Sequence, residues 1–294
     1  MSTASASRRA PRRPRISRRK IRTNVLVGLA FAFYLFIALI PIWWMVRATF
    51  VADYDLVDLQ VNPFWFKRPL TFDHITYLFH QTKFLTWFQN TYLVAFCVVL
   101  ITLALCIPAS YALARLRFRG AENIAIAVFM TYLIPPILLF LPLNQIVNSV
   151  LNLPNSKWAM VAVYPTFTIP FCLWLLVGFF RRIPIEIEEA ALVDGANRWQ
   201  AVWRIVLPLT IPGILTAAIF AFTLSMQDFL YALTFASSSS QKVLNTGIPT
   251  ELIRGDLYFW GELMTAALLA GIPVAILYNF FLDYFVEGIT GAVR

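Results

Sequence analysis

The chain has 294 residues, of which 60% are hydrophobic and only 13% charged, and its mean hydropathy is +0.70. A water-soluble domain is nearer half apolar and about a quarter charged, so the composition describes a lipid-embedded helical bundle instead of one or two soluble domains. The net charge of +9 invites a nucleic-acid partner, but the basic residues are distributed as membrane topology requires, and no nucleic acid is expected.

Nine of the 24 basic residues lie between Arg8 and Arg22. Such a block reads as a solvated arm over residues 1–24, which orients the following span and attracts anionic lipid headgroups. The apolar run from Val25 to Val46 is too long for the core of a signal peptide. Trp43, Trp44 and Met45 also stand where a small-residue cleavage site would be, so the run is kept as a span. A crossing needs about 20 apolar residues for about 30 Å of hydrocarbon. Six segments qualify: 25–46, 91–113, 122–143, 158–180, 209–234 and 261–286. The expected fold is all-α, one six-helix membrane domain over residues 25–294. Pro108, Pro135, Pro136, Pro165, Pro170, Pro212 and Pro273 fall inside these segments. They would break or kink a soluble helix, but a membrane helix tolerates them because its neighbours satisfy the freed carbonyls.

With a cytoplasmic N-terminus, the inner segments 1–24, 114–121, 181–208 and 287–294 hold 9, 3, 4 and 1 basic residues, which leaves 7 outside. Both termini are therefore expected in the cytoplasm. Trp43, Trp44, Trp87, Trp158 and Trp260 lie near outer span ends, where an aromatic belt belongs. The outer segment at about 47–90 carries Asp53, Asp55 and Asp58, together with His74 and His80. The histidines have no third ligand candidate nearby in sequence, so no metal site is expected. The last outer segment, about 235–260, opens on the serine run 237–240. Both are long enough to dock an external protein, and both also read as ordinary surface loops. Cys97, Cys106 and Cys172 sit inside spans without CxxC spacing and read as small core residues.

The inner loop RRIPIEIEEAALVDGANRWQAVWRIVLP at 181–208 differs from the rest. Pro184 suits a helix start, where a missing N–H costs nothing. Glu186, Glu188 and Glu189 follow in the first turn, where negative charge suits the helix dipole. Gly195 can close the helix in the left-handed conformation. Asn197 can cap a second helix through Trp203 to Ile205, with Pro208 leading into the next span. A helix this short is marginal in water unless something packs on it. Ala190, Ala191 and Gly195 offer a small-residue surface for that purpose. The loop therefore reads as a socket for a cytoplasmic partner, or as an amphipathic connector lying on the headgroups.

Glu189-Ala190-Ala191, Gly195, Ile205 and Leu207-Pro208 stand at the spacings of the EAA signature and resemble that of binding-protein-dependent ABC importer permeases. PASYALARLRFRG at 108–120, FFRRIPIEIEEAALVDGAN at 179–197 (which includes Asp194) and the tail YFVEGITGAVR at 284–294 resemble the smaller permease of maltose-type carbohydrate importers, the MalG-like branch. Relative to that branch's usual tail, one residue between Thr290 and Gly291 is absent. The resemblance implies that Glu189, Ala190, Ala191, Asp194, Gly195, Ile205, Leu207 and Pro208 form the ATPase-coupling region. It also implies a second homologous permease, two ATPase subunits that bind ATP and Mg, and an extracytoplasmic solute-binding protein. The solute would be a sugar or polyol crossing the inner membrane by alternating access.

No GxxxxGK[ST] phosphate loop occurs in the chain, so ATP hydrolysis is expected on a separate subunit and no catalytic residue or cofactor on this one. Asp228, beside Gln227, is the one carboxylate well inside an expected span. A central acid costs about 2.5–3.5 kcal/mol on insertion scales, so it should face the bundle interior or a cavity. It reads either as a translocation-pathway residue or as a structural contact between helices. Tyr132, Asn144 and Gln145 are further pathway candidates. The rival to an importer is an ion-coupled secondary carrier, which would show inverted repeats around charged midplane sites. No such repeat is evident, and no nucleophile or metal cluster inside the spans suggests a membrane-embedded enzyme.

Overall fold

The computed structural model describes residues 18–58, 60, 62, 64–66, 68–116 and 118–290, with backbone alone at 18–21 and 283–290. Most of the basic arm, Arg117 and the end of the tail from Gly291 lie outside the described residues.

The first helix, α1 (Arg18–Phe50), starts inside the basic arm, so residues 18–24 of the arm are helical. At its far end come the short α2 (Asp53–Val57) and α3 (Asp73–Gln81). Helix α4 (Phe84–Arg115) returns through the bundle. Helices α5 (Ala121–Thr131) and α6 (Pro136–Gln145) follow, and α6 runs into a widened turn at Ile146–Val150. Helices α7 (Lys157–Val163) and α8 (Pro165–Arg182) form one span with a break at Tyr164. Then come α9 (Ile185–Val193), α10 (Arg198–Ala201), a second widened turn at Val202–Val206, and α11 (Leu207–Gln227). Helices α12 (Leu230–Phe235) and α13 (Leu244–Leu252), a two-strand hairpin of β1 (Ile253–Arg254) and β2 (Leu257–Tyr258), and α14 (Trp260–Thr290) complete the fold.

Five helical segments are long and apolar enough to cross a membrane, and the bent pair α5–α6 makes six. The all-α bundle is therefore as expected, but the third span is not one rod. Its two halves meet at 90°. Pro135 and Pro136 stand together there and remove two consecutive N–H donors, and the last turn of α5 tightens before them, with Leu133 N–H donating to the Met130 carbonyl and Ile134 N–H to that of Thr131. The fifth span also ends earlier than expected, at Gln227 instead of 234.

Helix α4 is the central strut, packing on α8 and α11. The α4–α8 seam is lined by small polar residues that let the backbones approach and then bond across, as membrane helices do in place of a hydrophobic drive. The Thr102 and Thr168 hydroxyls lie 2.6 Å apart, and Ser110 donates to the Leu173 carbonyl at 3.2 Å. Cys106 and Cys172 are fully buried in the adjacent core with Leu176, Phe180 and Ala221. Gly213 on α11 sits against Phe179 on α8, so close that an added Cβ would fall 2.4 Å from the ring. Helix α1 packs along α14, and its apolar side chains are otherwise exposed, as a lipid-facing helix requires.

One of the aromatic-belt assignments is corrected. Trp43, Trp44, Trp158 and Trp260 are exposed, but Trp87 is fully buried. Its indole N–H donates to the Ser239 carbonyl at 2.8 Å and its ring packs on Gly247. Asn90 donates to the Ser240 and Lys242 carbonyls and accepts from the Lys157 ammonium at 2.7 Å. The serine-rich segment is thus tied to α4 and α7 and is not a free loop.

Candidate functional site

The 181–208 segment lies at the end of the bundle where α4 and α8 finish, opposite α2, α3 and the hairpin. Pro184 is the N-cap residue of α9, with Glu186 and Glu188 in the first turn. The helix closes in a Schellman turn: Gly195 N–H donates to the Leu192 carbonyl, Ala196 N–H to that of Ala191, and Gly195 has φ 91°. A residue with a Cβ is strained in that conformation, which explains the glycine. Asn197 then caps the next helix reciprocally. Its side chain accepts from Gln200 N–H at 2.8 Å, and the Gln200 side chain accepts from Asn197 N–H at 2.9 Å.

The expected second coupling helix is not a separate element. Arg198–Gln227 is continuous, so the second half of the loop is the first part of the fifth span. The widened turn at Val202–Val206, closed by Leu207 N–H to the Val202 carbonyl, comes directly before Pro208. Proline donates no N–H, and the wider turn accommodates the gap it leaves in the ladder.

Four of the candidate coupling residues, Glu189, Ala190, Asp194 and Gly195, are exposed on this loop, as is Pro208. Ala191 is buried, and Ile205 and Leu207 are half-buried. Trp199 and Trp203 stand exposed beside them with their rings edge to face at 5.6 Å.

The sequence reading missed the residue that holds α9 in place. Glu188, whose first-turn position suits the helix dipole, is buried. Its Oε1 accepts the Tyr111 hydroxyl at 2.5 Å, and its Oε2 lies 3.7 Å from Nε of Arg115. Arg115 in turn donates to the Ile183 carbonyl at 2.6 Å. The end of α4 therefore grips both the start of α9 and the residue before Pro184. Nothing in the sequence separates the adjacent glutamates, because the partners of Glu188, Tyr111 and Arg115, come from a distant part of the chain.

Asp228 is not inside a span. It occupies the break between α11 and α12, where its Oδ2 accepts from the Tyr164 hydroxyl at 2.9 Å and from Tyr231 and Ala232 N–H at 3.1 Å each. These backbone donors belong to the first turn of α12, so Asp228 acts as that helix's cap. The Asn245 side-chain amide donates to the Asp228 carbonyl. Asp228 and Gln227 line a cavity of about 210 Å³ with Pro136, Tyr164 and Thr168. Tyr132, Asn144 and Gln145 do not line it. Tyr132 packs on Phe129 and Phe171, and Asn144 accepts from Asn148.

The two histidines differ in their surroundings. His80 is exposed, but His74 is buried on α3, and the fold brings Asp53 and Glu262 to it from elements distant in sequence.

Fold and site together define a polytopic membrane protein that presents a capped, anchored helical loop at one end of its bundle. Residues 106–291 match the family described as binding-protein-dependent transport system inner membrane component, and the chain belongs to it. It is similar to the inner membrane ABC transporter permease protein YcjP of Escherichia coli, 32% identical over 93% of this chain and 96% of that one. It is also similar to the trehalose/maltose transport system permease protein MalG of Thermococcus litoralis, 28% identical over 94% of this chain and 99% of the relative. Among solved structures, a bacterial ABC transporter involved in import of the acidic polysaccharide alginate shares the fold. Its TM-score is 0.77 at 20% identity, over 93% of this chain and all of that one. The chain is thus a multi-pass permease subunit of an ABC importer.

Proposed function

We propose that this chain pairs with a second homologous permease and takes up a carbohydrate or polyol, driven by two separate ATPase subunits that bind ATP and Mg. The observation that carries the coupling role is the division of labour on α9. Glu188 locks the helix to α4, while Glu189, Ala190, Asp194 and Gly195 stay exposed on a rigid, doubly capped loop. A loop that transmits force needs both a rigid root and a free docking face. Movement of docked ATPases then passes through Glu188 and Arg115 into α4, and through the unbroken Arg198–Gln227 helix into α11. The packed bundle switches as bodies between inward-facing and outward-facing states.

In this reading both termini and α9 face the cytosol, and α2, α3, α13 and the hairpin face outward. Exposed Phe64, Trp65, Leu70 and Phe72 give that outer end an apolar surface on which an external solute-binding protein can dock. The carbohydrate assignment is supported by the relative named for trehalose and maltose and by the alginate importer. Asp228 and Gln227 are the proposed pathway residues, with the cavity beside them as the contact point.

The test is uptake in proteoliposomes containing this chain, its partner permease, the ATPase and the binding protein. Glu189→Lys should abolish ATP-driven sugar uptake while the chain still assembles in the membrane. Wild-type uptake by that variant would remove the coupling assignment.

A further inference from the structure

At the bundle end opposite α9, three potential metal ligands from three separate elements converge. His74 on α3 is 2% exposed and Glu262, in the first turn of α14, is 5% exposed. Asp53 at the start of α2 reaches in from the surface. One ligand atom from each lies within 4.8 Å of the others.

The tautomer of His74 follows from its other side. Nε2 lies 2.8 Å from the Val51 carbonyl, which can only accept, so Nε2 carries the proton. In the neutral ring Nδ1 then presents a lone pair, and it points at carboxylate oxygens: Glu262 Oε1 at 3.3 Å and Asp53 Oδ1 at 3.9 Å. Both His74 Nδ1 and Glu262 Oε2 are buried without a partner in hydrogen-bond geometry. Such atoms are costly to leave unmade. A separation near 3.3 Å is instead the edge expected between two ligands of a tetrahedral ion with bonds of about 2.0–2.2 Å. The Nε2–H to carbonyl bond is the orienting contact that metal-bound imidazoles usually have. Gly261 adjoins the ring so closely that a Cβ there would fall 2.2 Å from it, which leaves the ring no freedom to turn away.

We propose that Asp53, His74 and Glu262 bind a divalent transition-metal ion, zinc by the ligand set, with a fourth position open to water beside the exposed Asp53. One imidazole and two carboxylates suit zinc or manganese better than calcium. The ion would staple α2 and α3 to the start of α14 and so fix the outer segment on the bundle.

The experiment uses the purified full chain in nanodiscs, stripped with EDTA, loaded with zinc chloride, desalted and analysed for bound metal. Wild type and His80→Ala should each retain about one zinc per chain. Glu262→Gln should lose it, and Asp53→Asn should bind at least about 10-fold more weakly. Asp53 is 73% exposed, so its replacement leaves the packing intact. Retention of no zinc by wild type would overturn the site and leave an imidazolium–carboxylate pair. Wild-type affinity in either Asp53→Asn or Glu262→Gln would overturn it equally.

Discussion

The Tyr111 hydroxyl donates to Glu188 Oε1 at 2.5 Å, which joins the end of α4 to the first turn of α9. This bond and the neighbouring Arg115 contact separate two adjacent glutamates into a buried anchor and an exposed residue. Glu188→Ala should therefore behave unlike Glu189→Ala. The first strands a buried arginine and the tyrosine hydroxyl, at a cost of about 3–5 kcal/mol for the broken ion pair. The second should leave thermal stability unchanged but reduce transport. Unfolding midpoints of the two variants in detergent check this, and equal midpoints would refute the division.

Tyr111→Phe removes only the hydroxyl. A hydrogen bond to a charged group contributes about 1.5–3 kcal/mol, so α9 should loosen without loss of the bundle. Limited proteolysis at the 181–208 loop should accelerate, while the rest of the chain stays protected. An unchanged cleavage rate would mean that the bond does not hold the loop.

At Gly195 no atom lies within 4 Å of an added Cβ, so a substitution there meets only the backbone penalty of φ 91°. That penalty is about 1–2 kcal/mol for an ordinary residue and is smaller for asparagine. Gly195→Val should abolish uptake in an assembled transporter, whereas Gly195→Asn should retain most of it. Equal uptake by both variants would separate the turn from coupling.

Gly213 presents the opposite case, since its φ is ordinary and the constraint is contact with Phe179. Gly213→Ala should destabilise by about 1–3 kcal/mol through overpacking. The added Phe179→Leu change should recover part of that loss. A double variant less stable than the sum of the singles would contradict the packing explanation.

Asp228→Asn keeps an acceptor for Tyr164 and for the first turn of α12, whereas Asp228→Ala removes it. Loss of a cap costs about 0.5–2 kcal/mol, and a stranded buried tyrosine hydroxyl adds about 1–3. The alanine variant should be clearly the less stable by thermal unfolding. A loss of uptake in the folded asparagine variant would assign Asp228 to the pathway as well as to the cap.

What the sequence made legible was local or set by length. Apolar runs long enough to cross the membrane located the spans. Gly195 and Asn197 specified the loop's turn and cap because their partners lie within a few residues. The 90° bend was visible as Pro135-Pro136, but the tolerance of membrane helices for proline argued against a break there. The break at Asp228 carries no glycine or proline, and its partners Tyr164 and Asn245 are distant in sequence. The same distance hid the meeting of His74 with Glu262, and the burial of Trp87 under the serine-rich segment.

The most direct test of the central claim is the sidedness of α9. Val193 is 86% exposed on that helix and makes no cap. Native Cys106 and Cys172 are buried and Cys97 is half-buried, so background labelling is low. A membrane-impermeant maleimide should label Val193→Cys in inside-out vesicles and leave it untouched in intact spheroplasts. Labelling in intact spheroplasts would place α9 on the outer face, out of reach of any ATPase.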